Sequence, residues 1–276
     1  MHSTHIIARY GELFLKGKNR SLFERKLVAN IKKITLVGQV DKVQGKVVIP
    51  YFSGHKRLTR VFGLVSYSLT VRVEKRVEKI QEIALQLLEG KNGTFKVESK
   101  RGDKQFELTS PQLDIAVGKW IEEHSTLKFK FEHPDTVVNI EVNQEGAYVF
   151  TESFSCFGGL PTGVEGTVMV FLEDEASVLA GLLLMRRGCS VFPVSIGEER
   201  DISLLQEYSP SQLELRQFRN LAEIEKFALS KKIFVMVCGQ RFEDFKKYDT
   251  SLVVLRPLVG YSEEDVQREL QKYKEK

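Results

Sequence analysis

The sequence has little cysteine, no long apolar run and no cluster of histidines, and each shortage removes a class of protein. Its three cysteines, Cys156, Cys189 and Cys238, lie far apart and form no Cys-x-x-Cys pair. This excludes a zinc ribbon or an iron–sulfur site made within one chain, and the thiols are expected as packing residues. His2, His5, His55, His124 and His133 are scattered without ligand spacing, so no metal site and no histidine-activated nucleophile is expected. No stretch approaches the length of a membrane helix, and the opening MHSTHIIARYGE lacks the shape of a signal peptide. No membrane partner is therefore expected, and the expected compartment is the cytoplasm. The single tryptophan, Trp120, and Phe106 are expected in the core, which leaves no readable platform for stacking bases.

What the chain has in quantity is charge, unevenly placed. It carries 28% charged and 42% hydrophobic residues over 276 positions, with a net charge of +4, ordinary for two or three modest domains. Residues 1–60 hold 13 Lys/Arg against 3 Asp/Glu, whereas residues 61–166 hold 12 against 16 and residues 167–276 hold 16 against 18. A basic module on a near-neutral body fits a surface that faces a polyanion. Arg9, Lys16, Lys18, Asn19 and Arg20 gather around the first turn, and Arg25 and Lys26 extend the patch along a helix. Lys100, Arg101 and Lys104 share a turn with Gly102, and Ser110 follows at the start of a helix. Cations beside backbone N–H donors are what phosphate contact requires. The same residues also read as solubilising surface charge.

Periodicity divides the chain into three segments. In residues 1–63, a strand at 5–10, a turn-containing connection at 11–18, a helix from Asn19 or Ser21 to about Lys33, strands at 39–44 and 46–52 and a short helix at 54–62 make a small α+β unit. Residues 64–155 alternate a strand at 65–73, a helix at 77–88, a strand at 94–100, a helix capped by Ser110 to about Glu123, and a strand pair at 137–143 and 147–151. A Gly/Pro-rich connector at 156–166 leads to residues 167–276. There, strands at 168–172, 189–196, 233–238 and 252–255 alternate with helices at 176–187, within 212–229 and at 263–273. This order predicts a doubly wound parallel sheet of the Rossmann type, so the chain is α/β overall with an α+β amino-terminal half.

The strand at 168–172 runs directly into the helix at 176–187, a layout that places a nucleotide phosphate on a helix N-terminus. Yet the connection reads Leu172-Glu173-Asp174-Glu175-Ala176-Ser177. A phosphate cradle needs small residues, so that backbone N–H groups can approach, and no competing anion. Three carboxylates also suit helix capping, since acids in a first turn complement the helix dipole. A cation-bridged nucleotide is the remaining alternative at this point.

Four blocks carry a family resemblance. ARYGELFLKGKNRSLFERKLVANI (8–31) and FKVESKRGDKQFELTSPQLDIAVG (95–118), followed by HPDTVVNIEV (133–142), resemble the tRNA 4-thiouridine synthetases, or tRNA sulfurtransferases; so do GGLPTG (158–163) and LRPLVGYSEEDV (255–266). The resemblance implies a ferredoxin-like amino-terminal domain, a tRNA-binding THUMP domain and a pyrophosphatase-like domain. It implies that Arg9, Lys16, Lys18, Asn19, Arg20, Lys100, Arg101, Lys104 and Ser110 face tRNA. In the family the loop at 172–177 reads Ser-Gly-Gly-Ile-Asp-Ser. On this resemblance both glycines and the catalytic aspartate are replaced here, and a rhodanese domain is not expected. The expectation is a tRNA-binding protein with no catalytic residues and no cofactor, an accessory of tRNA modification that partners a separate sulfurtransferase. A homodimer is implied by resemblance alone. An active ATP- and Mg-dependent sulfurtransferase with an altered loop, and a protein-binding scaffold, are the rival readings.

Overall fold

The structure, a computed structural model, describes residues 3–43 and 45–276, and for residues 14–16 and 18 the backbone alone. Gln44, expected at the end of a strand, and His2 lie outside the described residues. By its contacts the chain forms two compact units, one of Met1–Ala8, Asp41–Ser53 and Tyr67–Phe154, the other of Arg9–Val40, Gly54–Ser66 and Ser155–Lys276.

The first unit is built on a nine-stranded sheet. Its strands are β1 (His5–Tyr10), β2 (Asp41–Val43), β3 (Lys46–Pro50), β4 (Leu64–Val73), β5 (Thr94–Arg101), β6 (Lys128–Phe129), β7 (Thr136–Asn143), β8 (Gly146–Phe150) and β9 (Phe154–Ser155). The order is β2-β3-β1-β4-β8-β7-β5-β6, with β9 beside β4. Helices α2 (Val77–Gln86) and α3 (Ser110–His124) cover this sheet. Ile80 and Ala84 of α2 and Leu113, Val117 and Ile121 of α3 pack onto Phe95, Val97, Val138 and Ile140. The spacing of three and four residues along each helix is what places these side chains on one face. The helix at 110 begins one residue earlier than expected: Thr109 is the N-cap, in a capping box with Gln112, and Ser110 is already helical. Pro111 favours this register because its fixed φ suits the first turn of a helix.

The second unit contains a five-stranded, all-parallel sheet. It is formed by β10 (Thr167–Phe171), β11 (Ser190–Ile196), β12 (Arg216–Phe218), β13 (Val235–Val237) and β14 (Val253–Leu255), in the order β12-β11-β10-β13-β14. Central β10 is apolar on both faces, as a strand covered by helices on either side must be. Val168 and Val170 join the cluster of α4 (Glu175–Arg186) and α7 (Glu263–Lys274), while Met169 and Phe171 join that of α6 (Leu221–Ser230). A short helix α5 (Ser203–Tyr208) and β12 have no counterpart in the sequence reading.

Helix α1 (Arg20–Thr35) belongs to this second unit, preceded by a 3₁₀ segment (Glu12–Asn19) in place of the expected turn. Asn19 stands at its N-cap position but makes no side-chain capping bond. The buried amide of Asn30 donates to the Thr162 carbonyl at 3.0 Å, which ties α1 to residues 156–166. Those residues pack tightly: Leu160 and Thr162 are buried, and the Leu160 and Gly163 N–H groups bond the carbonyls of Arg186 and Gly188. At Gly159, φ is +80° and a Cβ would stand 2.2 Å from the Arg186 carbonyl oxygen, so only glycine fits this crossing. Among the described residues no helix is long and apolar enough to cross a membrane.

Candidate nucleotide crevice and nucleic-acid surface

The strand order of the second unit reverses direction between β10 and β13. In open parallel sheets ligands bind outside the carboxyl ends of the strands at such a reversal. Residues 172–177 enter this crevice from β10 and residues 238–240 enter it from β13.

The crevice is closed by the chain's own polar groups. Asp174 is the N-cap of α4; its Oδ1 accepts the Ser177 N–H at 2.9 Å and the Ser177 hydroxyl at 2.8 Å. The Ser177 oxygen in turn accepts the Glu173 N–H at 3.2 Å. Glu173 accepts the hydroxyl of Tyr248. Tyr248 accepts from Gln240 Nε2 at 2.6 Å, and Gln240 Oε1 accepts from Arg256 Nε at 3.0 Å. Burial, followed by the bond to Glu173, pushes the Tyr248 phenol well above its ordinary range. Glu175 accepts from Lys274 Nζ at 2.5 Å, and that ammonium holds its carboxyl below the usual value. Leu172 is buried and Ala176 packs against the same core cluster. Gly239 lies so close that a Cβ would stand 2.3 Å from the Ser177 nitrogen.

This arrangement does not fit a polyphosphate. The N–H that a phosphate oxygen would take is engaged by a carboxylate, and a second carboxylate is hydrogen-bonded across the crevice. The three carboxylates do not converge: Glu173 accepts from Tyr248, Asp174 from Ser177 and Glu175 from Lys274. A cavity of about 460 Å³ beside the loop is lined by Asp174, Glu175, Asp201 and Glu207 as well as Arg200 and Lys274. Its cations are already paired, Arg200 with Glu198 at 2.6 Å and Lys274 with Glu175. Tyr248, Gln240 and Arg256 were missed by the sequence reading, because Tyr248 lies 75 residues from Glu173 and follows no periodic pattern. Cys238 directly follows β13 with its thiol pushed upward by burial, and burial raises Cys156 to about 12, so neither is poised as a thiolate.

The candidate phosphate contacts divide between the units. In the second unit Asn19 is exposed and Arg9 half-buried. Arg20 is directed at Glu24, which it meets at 2.7 Å and which also accepts the Tyr10 hydroxyl at 2.8 Å. The side chains of Lys16 and Lys18 lie outside the described residues. In the first unit Lys100, near the end of β5, and Lys104, on the turn after it, are exposed. Arg101 faces inward instead, its Nη1 approaching the carbonyls of Phe106 and Leu108 at 3.4 Å each. Ser110 accepts the Arg101 N–H at 3.2 Å, so its hydroxyl serves the turn. Buried Asp103 braces the same turn by an ion pair with Lys75 at 2.7 Å, a contact the sequence did not suggest. Phe106 is buried as expected, but Trp120 is only half-buried and stacks on His124 with ring centres 3.8 Å apart.

Residues 5–68 match the family model of the ThiI ferredoxin-like domain, and residues 73–152 match the THUMP domain. A probable tRNA sulfurtransferase of Mycoplasmopsis synoviae is 39% identical over 188 residues, covering 67% of this chain and 50% of that protein. One from Mycoplasmopsis agalactiae is 32% identical over 254 residues, covering 86% of this chain and 67% of that protein. The chain thus spans about half the length of most of the curated relatives it matches. Among solved structures, PH1313 from Pyrococcus horikoshii superposes with a TM-score of 0.86 at 30% identity, covering 98% of this chain and 99% of that one. A 4-thiouridine synthetase crystallised with RNA and ATP superposes with a TM-score of 0.82 at 25% identity, covering 99% of this chain and 85% of that one.

Proposed function

Because the chain belongs to the tRNA sulfurtransferase family, we propose that it is a tRNA-binding THUMP protein that does not use ATP and acts in the cytoplasm as an accessory to tRNA thiolation. The solved relative was crystallised with both RNA and ATP; the RNA half of that pairing carries over to this chain and the ATP half does not. One observation carries the reading: the carboxylate of Asp174 occupies the Ser177 N–H at the start of α4, the donor a nucleotide phosphate would need. Tyr248 on Glu173 reinforces it by closing the crevice from the side of β13. The RNA-facing part rests on the THUMP match and on exposed Lys100 and Lys104.

Calorimetry separates the possibilities. No heat is expected on titrating Mg-ATP into the chain, and binding to tRNA should be present and fall steeply with salt. Micromolar binding of Mg-ATP, abolished by Asp174→Lys, would overturn the proposal in favour of an active sulfurtransferase with an altered loop. A protein-binding role has its own supporting observation. Phe234, Phe242, Phe245 and Val253 of the second unit are 60%, 80%, 57% and 58% exposed, apolar side chains that a partner could cover. The occupant on this reading would be a second copy or a separate catalytic sulfurtransferase. Sedimentation of the chain with and without Phe242→Ser and Phe245→Ser tests the homodimer.

A further inference from the structure

The first unit ends in an edge strand that carries aromatics where water should be. Residues 128–131 read Lys-Phe-Lys-Phe. Alternation of this kind predicts a strand with its phenylalanines buried. Instead Phe129 is 51% exposed and Phe131 is 68% exposed. The backbone that presents them is well held: β6 pairs in parallel with the start of β5, Lys130 N–H donates to the Phe95 carbonyl at 2.9 Å, and Phe129 N–H donates to Glu122 at 3.0 Å. Phe129 touches the core only edge-on, its ring centre 6.4 Å from that of Phe95. Lys96 Nζ stands 4.4 Å from the centre of the Phe131 ring, which fixes one face of that ring and leaves the other for a planar partner.

We propose that Phe129 and Phe131, with Lys96, Lys128 and Lys130, form a stacking platform for unpaired nucleotides of a bound RNA. The proposal rests on the RNA-binding reading above and adds to it a place on the first unit. Lys128 and Lys130 are exposed and make no ion pair among the described residues, so they are available to phosphates between stacked bases. The acids nearby are largely engaged. Glu98 pairs with Lys96 at 2.9 Å, Asp135 holds the Thr94 N–H and hydroxyl at 2.7 Å, and Glu122 holds Phe129. Glu132 remains exposed at the end of the run. Rings beside ammonium groups suit a single strand, whose bases are open for stacking. A duplex keeps its bases stacked on one another. The platform lies at the Thr94 end of β5, whereas Lys100 and Arg101 lie at the other end of the same strand.

The test measures anisotropy of a labelled eight-nucleotide RNA, single-stranded or annealed, with the full chain and two double variants. Phe129→Ala with Phe131→Ala should weaken single-strand binding at least about fivefold for each ring that stacks. It should leave duplex binding and salt slope unchanged, because the rings carry no charge, and should lower the melting temperature only slightly, because Phe129 meets buried Phe95 edge-on. Phe129→Leu with Phe131→Leu should lose nearly as much, since leucine keeps the apolar surface but not the π face. If the wild-type chain binds RNA and both variants bind it equally well, the platform is refuted while the RNA-binding reading stands. If the wild-type chain binds neither RNA, both fall. A loss of self-association in the alanine variant that the leucine variant restores would make the patch a protein interface and also overturn the proposal.

Discussion

Replacing Asp174 with alanine tests the closed crevice most directly. The substitution removes a carboxylate that accepts both the N–H and the hydroxyl of Ser177, at 2.9 and 2.8 Å. Losing an N-cap costs about 1 kcal/mol, within a range of roughly 0.5–2 kcal/mol. Ser177 is 0% exposed, so its hydroxyl hydrogen would be left without a partner, at a further cost of about 1–2 kcal/mol. Because one group serves both bonds the terms overlap, and the expected total is about 2–3 kcal/mol. For a unit of this size that lowers the melting temperature by roughly 4–10 °C. Asp174→Asn keeps an acceptor at the cap and should stay within about 1 kcal/mol of wild type. Calorimetric unfolding of the three proteins, with and without Mg-ATP, gives the comparison. A carboxylate that merely obstructs an intact phosphate site makes the opposite forecast: its removal frees the Ser177 N–H, and saturating nucleotide at a hundred times its Kd would restore about 2.7 kcal/mol. An alanine variant as stable as wild type, or one rescued by Mg-ATP, would refute the reasoning.

Other outcomes follow from the same geometry. Lys100→Ala with Lys104→Ala should flatten the dependence of log K for tRNA on log salt by about 1.4–1.8, while Lys226→Ala with Lys247→Ala removes equal charge from the second unit and should change it little; equal effects would mean that general basicity holds the RNA. Arg101→Ala should instead lower stability, by about 1 kcal/mol in urea titration, because its guanidinium braces the carbonyls of Phe106 and Leu108. The Lys75 ammonium, followed by the Gln105 N–H, lowers the carboxyl of Asp103 below its unfolded value. Its stabilisation is therefore complete above the ordinary carboxylate pKa and is lost as pH falls through the lowered one, so Asp103→Asn should flatten the acid limb of a stability–pH curve. Gly239→Ala should destabilise the second unit by about 1–3 kcal/mol in thermal melts, since its methyl would meet backbone atoms of Ala176 and Ser177 at 2.6 and 2.3 Å.

Much of this protein was legible in its residues taken in order. Strand and helix periods located most elements to within a residue or two, from the first strand at 5–10 to the last helix, Glu263–Lys274. The family resemblance was carried by contiguous blocks, and the capping use of Asp174 by a short polar connection ahead of an apolar helix. All of these depend on neighbours within one turn or one strand, where propensity and spacing act directly. Side-chain direction was less legible. Lys100, Arg101, Lys104 and Ser110 form one polar cluster in the sequence, but the fold exposes the two lysines and turns the arginine and serine onto the loop. Phe129 and Phe131 alternate like buried residues, but Phe129 lies in the last strand of its sheet and Phe131 just beyond it, and both are exposed. Only the tertiary structure decided that α1 packs with residues 156–166 and that Tyr248 reaches Glu173 across 75 residues. Such choices belong to contacts distant in sequence, where each buried polar group must find a partner that no local pattern names.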